Sequence, residues 1–285
     1  MPSSCARWLI PLGLASVLNG QPTPSADEVM AKAAANIERS AEARKRYVYE
    51  QALRMKLIGA DQKIARQEQR EYEVFPSATS TRKTLVRLTG SYRQGSSMVP
   101  YAKAGFRHGS LDLDGEIMDS MIESLVDDEK ERDGVDLDLF PLRSAQIPYY
   151  RFVLRDNSEI SGRAVYRIEF QPDLKKCRSA NAYCPVWKGE ALIDREDLFP
   201  VRMDTHLARG IPWWVRTTLG TNVRQAGFSI RYTRLSDGVW FPASYGTEFR
   251  LKAIWFYQRT IALSLDNRRF RKTSADSTIV FEPGP

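Results

Sequence analysis

From Tyr149 to the end of the chain, segments with strand character follow one another with no helical stretch between them. Parallel strands need crossovers of a dozen or more residues, usually helical, so strands joined by short turns pair antiparallel. The segments are 149–155, 164–171, 187–194, 201–208, 227–235, 239–243, 245–251, 255–266 and 278–281. Tyr245, Thr247, Phe249 and Leu251 alternate with Gly246, Glu248 and Arg250, the two-residue period of a half-buried strand. Ser236-Asp237-Gly238 is a hairpin turn signal. The predicted fold class is mainly β (α+β), built on one large antiparallel sheet.

The first part of the chain changes period. Ser25 and Glu28 form a capping box, and Val29, Ala33, Ile37 and Ala41 follow at helical spacing, which predicts a helix over about 25–44. Tyr47, Tyr49, Leu53, Met55 and Leu57 then fall on one face of a long strand. Gly59-Ala60-Asp61 turns into a second strand over 63–75 that is polar on both faces, as in an open sheet with one side to water. A third strand covers 82–88, and the Gly- and Ser-rich stretch 90–112 reads as a long loop. Ile117, Met118, Met121, Ile122 and Leu125 make an apolar stripe on a helix predicted over 115–133, with Asp119, Glu123, Asp127 and Asp128 opposite.

Arg7 and the apolar run Trp8–Leu18 resemble a Sec-type export signal, too short to span a bilayer as a helix. Cleavage is expected near Gly20, giving a signal over 1–20 and a single domain over 21–285. Cys5 precedes the run rather than following it, so no lipid attachment is expected, and the mature chain is expected to be periplasmic or secreted. Cys177 and Cys184 have the wrong spacing for a CxxC motif. In an oxidising compartment they are expected to form a disulfide that closes a small loop.

The net charge of +7 is spread among alternating acids, as in Arg66-Gln67-Glu68-Gln69-Arg70-Glu71. No basic cluster is interleaved with stacking aromatics, so nucleic acid is not an expected partner, while peripheral contact with acidic lipid stays open. The chain has two histidines, His108 in the presumed loop and His206 on a polar strand face beside Arg202 and Asp204. They predict neither a transition-metal site nor a catalytic base. Asp112-Leu113-Asp114-Gly115 matches part of a calcium loop, but Ser110 and Met121 stand where its first and twelfth ligands belong, so a turn into the helix fits better. Ser80-Thr81-Arg82-Lys83 fits S-x-x-K without companion motifs. Neither a Walker loop, nor GxSxG, nor GxGxxG occurs. No cofactor and no enzymatic activity are expected. A hydrolase would need converging carboxylates, and the nearest group, Asp194, Glu196 and Asp197, is spaced around a turn that suits solvent.

The stretches Ile160–Pro172 (ISGRAVYRIEFQP), Trp187–Arg202 (WKGEALIDREDLFPVR) and Ser236–Pro242 (SDGVWFP) follow a turn-and-strand pattern. In this pattern and in element order the chain resembles the LolA-like periplasmic lipoprotein-carrier superfamily and its sensor relatives. The resemblance implies a half-open β-barrel with helices over an apolar concave face, and binding of an acyl chain, lipid or lipoprotein without catalysis. The insertion between Cys177 and Cys184 and the Trp213-Trp214 region depart from the family pattern. Met118 and Met121, with Leu125 on the same stripe, are either a lid, since Met adapts to varied shapes, or ordinary core. Tyr47, Tyr49, Phe249 and Trp255 either line the hollow or fill the fold. The alternative function is an envelope protein-interaction or lipid-sensing module without carrier activity.

Overall fold

The computed structural model describes residues 24–76, 81–126, 141–156, 158–179, 184–208, 221–253 and 257–273. The expected signal over 1–20, Ser80, Trp213-Trp214, Trp255 and the strand over 278–281 lie outside them.

Helix α1 (Ala26–Arg44) leads into β1 (Tyr47–Ile58), β2 (Ile64–Pro76), β3 (Thr81–Gln94) and β4 (Ser97–Tyr101). Helix α2 (Leu113–Val126) precedes β5 (Tyr150–Leu154), β6 (Ser158–Ile160), β7 (Arg163–Pro172), the short α3 (Leu174–Ser179), β8 (Trp187–Asp194), β9 (Pro200–Leu207), β10 (Thr221–Arg234), β11 (Trp240–Ala253) and β12 (Tyr257–Lys272). The twelve strands form one antiparallel sheet in the order β4-β3-β2-β1-β12-β11-β10-β9-β8-β7-β5, with β6 beside β7. The chain starts mid-sheet, runs out to the β4 edge, crosses by way of α2 to the β5 edge and returns until β12 pairs with β1. The sheet is open, as in a half-barrel, since its end strands do not pair with each other.

Local chemistry sets each boundary. Ser25 accepts the Glu28 N–H at 3.2 Å and the Glu28 carboxylate takes the Ser25 N–H at 2.9 Å, the reciprocal bonds of the capping box. Val29, Met30, Ala33 and Ile37 of α1 are buried against β5, β7, β8, β9 and β10. Each large aliphatic in that stripe contributes about 1.5–3 kcal/mol. The β10–β11 hairpin closes where Gly238 adopts a φ of +87° and donates to Leu235 O at 2.9 Å.

Four expectations need correction. Residues 90–112 are not one loop, because β3 continues to Gln94 and a two-residue turn, with Gly95 at φ +62°, folds β4 back onto it. The segments expected over 239–243 and 245–251 form one strand, β11, with a register shift between Arg231 and Tyr232 of β10 where Pro242 enters the pairing. The strands after Tyr149 are not all joined without a helix, since α3 stands between β7 and β8, and on β2 the polar residues Arg66, Glu68 and Arg70 are buried on the inner side. Asp194 is 1% exposed rather than solvated, because Arg163 grips it and the Glu196 and Asp197 N–H groups donate to it.

Register shows that both helices cover the same face of the sheet. Leu53, Leu265 and Tyr245 sit opposite one another across β1, β12 and β11, and the row continues to Ile230 and Met203. One core cluster lies under α1, and a second lies between α2 and β1, β2, β11 and β12.

Candidate functional site

The inner face of β2 presents Arg66, Glu68 and Arg70 opposite Leu57, Met55 and Leu53 of β1, so an ionic row runs beside an aliphatic one. Burying charges costs several kcal/mol per ion unless each is paired and hydrogen-bonded. Here α2 and the segment before it supply the partners. Arg66 donates to Asp112 at 2.6 Å, to the Phe106 carbonyl at 2.6 Å and to the Tyr101 hydroxyl at 2.9 Å. Arg70 donates to Asp119 at 2.7 Å and also to Glu68, while Arg107 closes on Asp119 from outside. At the first turn of α2, Asp114 takes both Arg259 Nε at 2.9 Å and Nη2 at 3.0 Å, and the Tyr257 hydroxyl at 2.6 Å. These four guanidinium groups meet four carboxylates, and together they fasten α2 to both β2 and β12.

Asp112 is the centre of the fastening. Its Oδ1 accepts the Gly115 N–H at 2.9 Å while its carbonyl accepts the Glu116 N–H at 3.0 Å, so it also caps α2. Burial alone would raise its pKa. The Gly115 and His108 N–H groups and the Arg66 guanidinium outweigh that and hold the carboxyl below its ordinary range. Tyr101 lies flat over Gly90, where a Cβ would stand 2.3 Å from its ring, and its hydroxyl donates to Glu68 at 2.8 Å. Burial first, and then the Glu68 charge, raise the Tyr101 pKa. Phe106 stacks on Tyr101 at 4.6 Å, and Tyr92 stacks on His108 at 4.8 Å, which holds the strap before α2 against β3.

Among the described residues, the predicted ligand-binding residues Tyr47, Tyr49, Met118, Met121 and Phe249 come together in the cluster under α2. Tyr47 packs edge-on to Phe241 at 5.0 Å and donates to Asp237, so burial and that carboxylate push its pKa up to about 12. Met118 is fully buried, whereas Met121 and Phe249 are half-buried. Leu125 belongs to α2, with its side chain outside the described residues, as is Trp255.

Between the two helical covers runs β11, the middle strand of the sheet. Its inner row, Tyr245, Thr247 and Phe249, is half-buried, although Phe228 and Ile230 beside it and Leu263 and Leu265 on the other side are buried. A central strand should be the best covered part of such a sheet. Tyr245 packs against both core clusters, so this row is a seam between them. Neither the seam nor the ionic row stands among the predicted residues, apart from Phe249. Their signal is visible afterwards in the alternation Arg66-x-Glu68-x-Arg70 beside an aliphatic strand.

No family model matches the sequence, and no curated protein matches it. Solved structures are similar over most of their length. A DUF1329 family protein from Desulfovibrio piger is 10% identical, with 89% of this chain and 96% of that chain covered, at a TM-score of 0.35. A LolA superfamily protein from Nitrosomonas europaea is 11% identical over 88% of this chain and 94% of that one, with a TM-score of 0.31. The MucA/MucB complex of Pseudomonas aeruginosa gives 12% identity, coverage of 85% and 99%, and a TM-score of 0.26. At these scores the similarities carry no functional argument, which rests on the geometry of the chain itself.

Proposed function

We propose that the chain binds an apolar ligand, an acyl chain or lipid, along the seam between its two helical covers, with α2 as the lid. The observation that carries this reading is the half-buried row Tyr245, Thr247 and Phe249 on the middle strand. Two aromatic side chains flank a threonine whose hydroxyl is already satisfied by the Gly227 carbonyl at 2.8 Å, so the row offers a ligand mainly apolar surface. Ligand sites of this kind are concave and largely apolar, with few polar groups. The ionic row supports the lid role, because charged partners that are fully satisfied when closed define one closed position. Asp112, Asp114 and Asp119 are each gripped by a guanidinium, an arrangement that fastens a helix. In this reading residues 1–20 are the export signal, and 21–285 act as a single binding domain in the cell envelope.

The test is uptake of a fluorescent fatty-acid probe, with native mass spectrometry of the purified chain. Saturable uptake that Phe249→Arg weakens, with the melting temperature kept, is the expected result. A folded chain with no saturable uptake and no bound lipid would sink the proposal.

A further inference from the structure

The opposite, outer face of the sheet carries a groove of about 550 Å³ across β5, β7, β8 and β9. Its floor is ordered by the register. Val153, Glu169, Glu190, Asp204 and Ser229 stand directly opposite one another on successive strands. Three carboxylates in a row repel unless cations intervene. They do: Arg155 meets Glu169 at 2.7 Å, Arg167 meets Glu190 and Arg202 meets Asp204 at 2.7 Å. The acidic row is therefore neutralised, and among the described residues no group of His, Cys, Asp and Glu is arranged to hold a metal ion.

Two residues further along each strand, about 6.6 Å away, the groove has a second row. Arg151 pairs with Gln171 in register, and Lys188 with His206. Among the described residues these cations have no counter-charge. Arg151 is met by the Gln171 side-chain amide, and no described carboxylate lies within ion-pair distance of Arg151, Lys188 or His206. A guanidinium and an ammonium converging from different strands suit an oxyanion with several oxygens. The acidic row alongside offers acceptors for hydroxyl groups one row away.

We infer that this outer groove binds the phosphate ester of a polyol, with phosphate on Arg151, Lys188 and His206 and hydroxyls toward Glu190 and Asp204. The ester is either a lipid headgroup or a soluble sugar or glycerol phosphate, and this site lies on the face opposite the apolar seam.

The two histidines report on opposite faces, since His108 sits beside Asp112 in the α2 fastening. In the full chain with labelled histidine, glycerol 3-phosphate is expected to shift the His206 ring signals saturably and leave those of His108 unmoved. The Arg151→Gln/Lys188→Gln variant should weaken that titration by about tenfold or more, with its melting temperature unchanged. Sodium chloride at matched ionic strength should not reproduce the shift, and inorganic phosphate should bind more weakly. A response equal in chloride, or an unchanged titration in the variant, would overturn the site. Inorganic phosphate binding as tightly as the ester would overturn the role given to the acidic row. Phosphatidylglycerol vesicles that displace glycerol 3-phosphate would identify the lipid headgroup as the source, and inert vesicles the soluble ester.

Discussion

The Arg66 guanidinium meets the Asp112 carboxylate at 2.6 Å with the two side chains 2% and 0% exposed, although 46 residues separate them in sequence. Removing one partner of such a pair leaves a charge stranded without its counter-ion, at a cost of about 3–5 kcal/mol. Asp112→Asn keeps the shape and the cap on Gly115 but strands Arg66. We expect a loss near the lower end of that range in urea unfolding. Hydrogen exchange should rise in α2 before it rises in α1, which shares none of these bonds. Uniform exchange across both helices would show that the pair does not fasten α2 locally.

The same carboxylate sets a pH window. Its folded pKa is lowered, while the unfolded value is about 3.9. The unfolded chain therefore binds its proton first as pH falls, so the contribution of Asp112 is complete above about pH 4. It is lost as pH drops through the depressed folded value. Protection of α2 in hydrogen exchange should be constant between about pH 5 and 8, after correction for intrinsic rates, and fall only in stronger acid. Loss of protection already at pH 5 would contradict this account.

Gly90 and Gly246 both lie inside strands, yet a side chain meets different surroundings at each. A Cβ at Gly90 would stand 2.3 Å from the Tyr101 ring, whereas at Gly246 nothing lies within 4 Å. Gly90→Ala should displace Tyr101, cost about 1–3 kcal/mol and disturb the bond to Glu68. Gly246→Ala should be neutral or slightly stabilising, since glycine is entropically poor in a strand. Equal thermal midpoints for the two variants would refute the packing of Tyr101 over Gly90.

What the sequence made legible was local. The capping box of Ser25 and Glu28 placed α1, and the clean alternation of Tyr245, Thr247, Phe249 and Leu251 placed the second half of β11. The sheet direction followed from strands joined by short connections, and it holds although one of them, between β7 and β8, contains α3. What stayed hidden depended on distant partners. Arg66, Glu68 and Arg70 look solvated until Asp112 and Asp119 arrive from α2. Asp194 looks like a turn residue until Arg163 reaches it from the neighbouring strand, 31 residues away. Glycine misled in a second way, since Gly90 and Gly95 suggested a loop where one lets Tyr101 lie flat and the other makes a tight turn. The seam at Tyr245 was unreadable because alternation identifies an inner face but not how completely it is covered.

Met118 and Met121 lie on one stripe of α2 but differ in burial, the first at 0% exposure and the second half-buried. Met118 touches the core beside Ile122 and reaches toward the Tyr101 hydroxyl, so Met118→Ala should cost about 2–5 kcal/mol. Met121→Ala removes less buried surface and should cost less than half of that. If α2 is the lid, Met121→Asp should reduce probe uptake more than its stability loss explains. Uptake and stability falling in proportion for both residues would make the stripe ordinary core.

The Cys177–Cys184 disulfide bridges Cα atoms 5.2 Å apart, with Cys177 in α3. On the chain-entropy model a loop this short restricts the unfolded chain by about 2.5 kcal/mol. Asp173 caps α3 and its N–H donates to the Tyr149 carbonyl at 2.8 Å, so the staple holds this helix beside the β5 edge of the sheet. The seam on β11 lies five strands from that edge in the sheet order. Replacing both cysteines with alanine should therefore lower stability by about 2.5 kcal/mol and leave fatty-acid probe affinity unchanged. An affinity that fell in the folded variant would place the ligand near the β5 edge instead of on the seam.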